Sequence, residues 1–424
     1  MGARYNRYRA LMKKHANKPT KSKLTVLHQL CNLIPGHLVS NLAKQYGVDH
    51  KARTYSPWSH VVTMLFAQLT HAIGLNDVCD NLRHHLGRLK CIREASAPSK
   101  NALSYANKER SALMAEALFW EQLKYLESLS PRFGIGRRYR GLPRRFKRAI
   151  HAVDSSTIAL VANCMDWARH RRRKAAAKLH LRLNLQSFLP SFVIVDTAKH
   201  SDNKRARELC AGLHAGEIVV FDKAYVDFAH LFDLQQRQVF WVTRAKDNLK
   251  YRVAKKLLRK PQGKILRDDL IALKTAKSKA AYPQQLRRVE ALVEVDGKEQ
   301  VMVFVTNNLQ WSARTIADLY RSRWGIEVFF KQVKQTLQVC DFLGHSANAV
   351  RWQIWTALLL YILLRFQAHL SKWNHSFTRV FTMIRAVVWD RLDLRDLLDF
   401  YGTAGGCFRS RATPEQLYFE GMAA

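Results

Sequence analysis

The chain has 424 residues, with 70 Lys and Arg against 33 Asp and Glu, for a formal net charge of +37. That excess is too large for a solubility device and points to a polyanionic partner, nucleic acid ahead of an anionic membrane surface or a ribosomal scaffold. The longest apolar run, Ala357 to Leu364, is far short of the ~20 residues a spanning helix needs. The seven cysteines have no Cys-x-x-Cys pair among them, which excludes a disulfide framework and structural zinc and predicts a cytoplasmic protein with reduced thiols.

Residues 1 to about 130 read as helical, with Val26, Leu27, Leu30, Leu33 and Ile34, then Val61, Met64, Leu65 and Leu69, at helical spacing. Over residues 1–150 there are 27 Lys or Arg and 8 Asp or Glu, so this region is expected to be a DNA-binding N-terminal domain. Ser96 and Ser99 are candidate N-caps for a helix holding Lys100, Asn101, Ser104, Asn107, Lys108 and Arg110. With a preceding helix at Leu75–His85, that helix could form a helix-turn-helix; an ordinary basic bundle fits the residues equally well. Residues 131–148 carry eight cations and no acid amid Pro and Gly, the composition of a linker that tracks phosphates. A second basic cluster runs from Arg169 to Lys174.

The middle of the chain changes texture. Ala149–Asp154, Leu179–Leu185 and Ser191–Thr197 read as strands, Asn203–Leu213 as a helix, Glu217–Asp222 as a strand, Tyr225–Gln236 as a helix and Val239–Thr243 as a strand. Three strands, then helix, strand, helix, strand is the order of an RNase H-like mixed sheet. The predicted class is α/β (α+β): a catalytic core at 149–245 and 300–345, interrupted by a β-rich insertion at 246–299. C-terminal helices at 346–424 are expected to pack on that core.

Two of the strand-like runs end in a carboxylate, Asp154 and Asp222. A third acid, Glu327, lies in Leu319-Tyr-Arg-Ser-Arg-Trp-Gly-Ile-Glu-Val-Phe-Phe-Lys-Gln-Val-Lys334. On a helix, Tyr320, Arg323, Glu327 and Lys334 fall within an arc of about 60°, beside an apolar stripe of Leu319, Ile326, Phe330, Val333 and Leu337. An exposed Glu327–Lys331 pair alone would make this a solvated face, but would not explain why Tyr320, Arg323 and Lys334 share the arc. Three hard carboxylates held by two strands and a helix suit two Mg²⁺ or Mn²⁺ ions and in-line phosphoryl chemistry. His180 and Asp202 are secondary candidates for that site. Trp241 and Trp311 could stack on a displaced base, though each reads more simply as core.

The spacing Tyr-x2-Arg-x3-Glu-x6-Lys resembles the signature of DDE transposases of the bacterial insertion-sequence "four" family. Asp154-Ser-Ser-Thr157 is similar to that family's first acidic motif and Asp222-Lys-Ala-Tyr225 to its second. Lys174-Ala-Ala-Ala-Lys-Leu-His180 and Phe304-Val-Thr-Asn307 match blocks between them, and the likeness runs over about residues 25–365. The resemblance implies that Asp154, Asp222 and Glu327 are catalytic and hold the metal, and that Tyr320, Arg323 and Lys334 contact DNA. It further implies double-stranded transposon ends and target DNA as partners, a homodimer in the synaptic complex and a nucleoid-associated location. Cut-and-paste transposition is the activity expected; a catalytically silent DNA-binding relic and a structure-selective nuclease on the same core are the alternatives.

Overall fold

Five strands form the centre of the sheet. They are β1 (Ile150–Leu160), β3 (Lys174–Asn184), β4 (Leu189–Thr197), β5 (Ile218–Phe221) and β6 (Phe240–Arg244), with a short β2 (Arg169–Arg171) folded against β3. The computed structural model describes residues 19–50, 52, 54–135, 146–160, 164–171, 174–197, 202–295, 297–337 and 342–400. β1 pairs antiparallel with β3 and β3 antiparallel with β4, whereas β5 lies parallel to β1 and β6 parallel to β5. The resulting order, β4-β3-β1-β5-β6, is the RNase H-like arrangement: an antiparallel meander, then two crossovers into parallel strands. β5 is buried along its whole length, as an apolar strand covered on both faces must be. Val153, Val219, Phe221 and Trp241 pack there with Ala206, Leu209, Leu231 and Leu234. The last four come from helices on one face, Asp202–Cys210 and Phe228–Gln236.

The sheet does not stop at β6. Antiparallel strands β7 (Tyr251–Lys256), β8 (Ile265–Leu273), β9 (Leu286–Val295) and β10 (Lys298–Thr306) extend it in the order β6-β10-β9-β8-β7. Chain between β6 and β10 therefore returns to the sheet it left. Asn307, just past β10, locks the return: its side chain accepts from the Trp241 N–H at 2.9 Å and donates to the Val239 carbonyl at 2.9 Å.

The chain parts into two compact units, one of residues 127–335 and 345–347, which holds the sheet, and one of 1–126, 336–344 and 348–424. The described residues of the second are mainly helical. Its centre is the 24-residue helix Ala347–Leu370, apolar and long enough to cross a membrane by length and composition, yet 83% buried inside the protein over its most apolar window. Asn348 and Trp352 on it bind the backbone around Arg110: the Asn348 side chain accepts from the Ala112 N–H at 2.9 Å, and the Trp352 indole donates to the Arg110 carbonyl at 2.7 Å. The long C-terminal helix thus shares a unit with the N-terminal helices.

Of the two candidate caps, Ser99 accepts from the Ala102 N–H at 3.1 Å and starts the helix Lys100–Glu109; Ser96 instead binds the Thr54 carbonyl and Ser59. The helices Leu75–His84 and Lys100–Glu109 are separated by a further helix, Leu86–Lys90, and an extended segment, longer than a helix-turn-helix connection. Residues 131–135 of the expected linker form a short helix with Phe133 buried; residues 136–145 lie outside the described residues, as do Arg172 and Arg173 of the second basic cluster.

Candidate active site

Val153↔Phe221 is the last registered pair between β1 and β5. Asp154 and Asp222 are the next residue on each, so two neighbouring strands deliver two acids at one edge. Because pleated side chains alternate and Val153 and Phe221 point into the apolar cluster, the acids leave by the opposite face. Asp154 does not end its strand as the sequence suggests: β1 runs on to Leu160, paired among the described residues with β3 alone. What ends at Asp154 is the parallel pairing. Asp222 does end its strand, in extended backbone before the turn Lys223–Tyr225. β6 contributes the next position in the row, because Phe221 pairs with Thr243 and Arg244 follows.

Against that face lie two consecutive helices, Ala313–Ser322 and Trp324–Lys331. The pattern predicts one helix here; the structure tightens it at Arg323, whose N–H binds the Tyr320 carbonyl at 3.0 Å while its own carbonyl accepts from Ile326 at 2.9 Å. Such i→i+3 spacing nearly eclipses side chains three apart, and the Arg323 guanidinium accordingly lies over the Tyr320 ring, 5.5 Å from its centroid. Ser312 caps the first helix by accepting from the Thr315 N–H, and Ile316, Leu319, Ile326 and Phe329 bury its apolar side and that of its successor.

Arg323 is the hub. One terminal nitrogen donates to Asp154 Oδ2 at 3.1 Å and the other to Glu327 Oε1 at 2.8 Å. The Tyr320 hydroxyl donates to Asp222 Oδ1 at 3.1 Å. Four residues named from the sequence pattern, with Arg323 between the acids, thus come together in one cluster with Asp154. Lys334 does not join by any hydrogen bond or ion pair among the described residues. It lies in a π-helical turn, Gln332–Thr336, which the 3.6-residue pattern does not anticipate.

Electrostatics at the cluster are strained. Burial pushes the Asp154 carboxyl up to about 6; the Ser155 N–H and Arg323 oppose the rise, while Asp222 and Glu327 add to it. Burial likewise lifts the Tyr320 phenol to about 12, keeping it a neutral donor. For Arg323, burial works against the charge, but Tyr320, Asp154 and Glu327 outweigh it and raise its pKa. Glu327 is 57% exposed at its side chain and Asp154 20%, so the cluster opens to solvent on the Glu327 side. Among the described residues no three His, Cys, Asp or Glu side chains stand close enough to share a metal ion as placed; here the guanidinium occupies the space between two of the acids.

The remaining candidates sort by burial. His180 is fully buried on β3, in register with Ser155. Asp202 opens the helix Asp202–Cys210. Trp241 is fully buried edge-on to Tyr282, so its ring is not free to stack on a base, whereas Trp311 is half-buried and packs on Phe146 and Phe240. Arg244 was not singled out from the sequence, although a cation directly after a strand-like run was a usable signal. With Lys246, Lys250, Thr243 and Phe228 it lines a cavity of about 510 Å³ that begins one strand from Asp222.

Comparison with known proteins fits this geometry. The family model described as "Transposase DDE domain" matches residues 145–363, and a "Domain of unknown function (DUF4372)" matches residues 22–92. The chain is 27% identical over 292 residues to y4zB of Sinorhizobium fredii, named as a transposase, covering 68% of this chain and 80% of that one. It is 31% identical over 223 residues to a Geobacillus stearothermophilus transposase named for insertion sequence element IS5377, covering 52% and 57%. It is also 27% identical over 199 residues to the transposase InsG for insertion sequence element IS4 of Escherichia coli K12, covering 45% and 43%. With the matched domain spanning half of its residues, the chain belongs to the transposase DDE family, in the IS4-like group, and is a DNA transposase.

Proposed function

We propose that this transposase recognises the terminal inverted repeats of its own element and carries out metal-dependent strand cleavage and strand transfer, a cut-and-paste transposition. The observation that carries the reading is the convergence of Asp154, Asp222 and Glu327 on the Tyr320–Arg323 pair. The acids fit a divalent cation: they are hard oxygen donors, and Asp154 and Glu327 already share one positive charge, that of Arg323. Asp154, Asp222 and Glu327 would hold two Mg²⁺ or Mn²⁺ ions, which when bound supply charge stabilisation for in-line displacement at phosphorus by water or a 3′-hydroxyl.

The protein's own part is placement. Asp154 sits within β1 and Asp222 directly after β5, while Glu327 lies on a helix face that opens to solvent. Arg323, once released from its acids, has the planar fork that binds a phosphate through two parallel hydrogen bonds. Tyr320 donates from its neutral hydroxyl to a phosphate or sugar oxygen. Lys334 contributes a point charge one π turn further along. The helical N-terminal region supplies repeat recognition, and a homodimer brings two ends together, each catalytic unit acting on the end its partner holds.

The test uses purified protein, Mg²⁺ and a labelled duplex carrying the DNA end that flanks its own gene, with Glu327→Ala beside wild type. Cleavage at the element boundary by wild type only is the expected result. Cleavage that survives Glu327→Ala removes Glu327 from the ligand set. Salt-sensitive end binding without nicking would instead identify a silent relic, and cutting of branched DNA without preference for the end a structure-selective nuclease.

A further inference from the structure

The outer edge of the sheet carries a surface that neither the acid cluster nor the core explains. β7 is the last strand in the order and, among the described residues, pairs only with β8. From Arg252 to Lys264 every residue except Leu258 is exposed, on both faces of the strand. The stretch holds six cations (Arg252, Lys255, Lys256, Arg259, Lys260 and Lys264) and no acid. A bulge between Val253 and Lys255 twists the strand, and Lys255 and Lys256, being successive, leave opposite faces. A tight turn closed by the Gln262–Ile265 bridge, with Gly263 at φ +58°, sends the chain back into β8.

The neighbouring acids are engaged elsewhere. Asp268 receives both ends of a fork from Arg287, at 2.8 and 2.7 Å, and Asp269 faces Arg288. Glu290 takes Arg288 and Arg267, and Glu299 takes Lys264. No ion pair among the described residues reaches Arg252, Lys255, Lys256, Arg259 or Lys260. Lysine commonly protects a sheet edge against pairing. A purely protective edge would need one or two such residues and would not leave Val253 and Leu257 exposed at 44% and 39%.

We infer that the β7–β8 hairpin is a docking arm for the phosphate backbone of duplex DNA, gripping it without reading sequence. β8 is covered by β9 on its other side, so the grip belongs to the edge strand β7 and the turn after it. The five cations that no ion pair among the described residues reaches match phosphates, and Lys and Arg without Asn or base-facing acids suit backbone contact more than base contact. The inference rests on the transposase reading above. It adds an arm on the catalytic unit that holds DNA independently of repeat recognition.

The test compares the full chain with a quadruple variant, Lys255→Gln, Lys256→Gln, Arg259→Gln and Lys260→Gln, in binding to a random-sequence duplex and to a duplex carrying the element's end. For every phosphate that is no longer neutralised, the slope of log K against log salt should become shallower by about 0.9, hence by about 3 to 4 for all four substitutions. Both duplexes should weaken by the same factor, so end selectivity stays constant. A variant with Lys255→Arg, Lys256→Arg and Lys260→Arg should keep the wild-type slope, which separates charge from folding. Wild-type binding with an unchanged slope in a folded quadruple variant overturns the arm alone. A change in oligomeric state without a change in slope makes the edge a pairing surface for a second copy, and also overturns it. If wild type binds neither duplex, the arm falls together with the reading beneath it.

Discussion

Asp154 holds its proton up to about pH 6, against 3.8 for an unperturbed carboxyl, because burial outweighs the Ser155 N–H and Arg323. Between those values the folded state binds more protons than the unfolded one, so this residue makes stability fall as pH rises through the window. Asp154→Asn removes the titration. The variant should be more stable than wild type at pH 7, by up to about 3 kcal/mol, and the difference should shrink as pH falls toward 4; urea melts at pH 4, 5, 6 and 7 measure it. Divalent cation should work in the opposite sense. Millimolar Mg²⁺ should raise the melting temperature of wild type and leave Asp154→Asn unmoved, as expected of a ligand that binds only the folded acid cluster. An Asp154→Asn protein less stable than wild type at pH 7 would refute the strained carboxylate. Asp154, Asp222, Tyr320, Arg323 and Glu327 were legible in the sequence because residue type and spacing survive without coordinates. The hydrogen bonds from Arg323 to two acids were not, since they depend on the helix tightening at that residue.

At the scale of elements, Asn307 decides whether the sheet closes after its long excursion. It satisfies one N–H and one carbonyl of the strand region at β6 through a single amide, next to Thr306, which donates to the buried Trp241 carbonyl. Asn307→Ala leaves two backbone groups unpaired beside a fully buried tryptophan. A loss of about 2 to 3 kcal/mol in denaturant unfolding is expected; a loss under about 0.5 kcal/mol would mean that β6 and β10 hold their register without it. The strands of the core were readable as apolar runs. β7 and β8 were not, for opposite reasons. β7 is exposed on both faces and has no alternation to detect, while β8 turns Asp268 and Asp269 inward to Arg287 and Arg288, a pattern that reads as polar. The π turn holding Lys334 escaped for a third reason, because helical periodicity carries no mark of one extra residue in a turn.

For the whole molecule, the +37 charge predicts duplex binding that weakens steeply with salt. A protein covering roughly six to ten phosphates loses about a thousandfold or more in affinity between about 50 and 200 mM salt, and fluorescence anisotropy across that range tests it. A loss below about tenfold would mean that most of the cations face solvent when DNA is bound. Composition determined the class of partner, since net charge needs no fold to be counted. The Tyr-Arg-Glu-Lys stripe carried the family resemblance and named the residues to examine, since its spacing is local in the chain. Tertiary structure alone decided that residues 348–400 pack with the N-terminal helices, that the insertion rejoins the same sheet, that Trp241 is a wall of the core, and that Arg323 stands between the acids. Each of these depends on which apolar faces find one another across hundreds of residues, and periodicity records that a face exists but not what covers it.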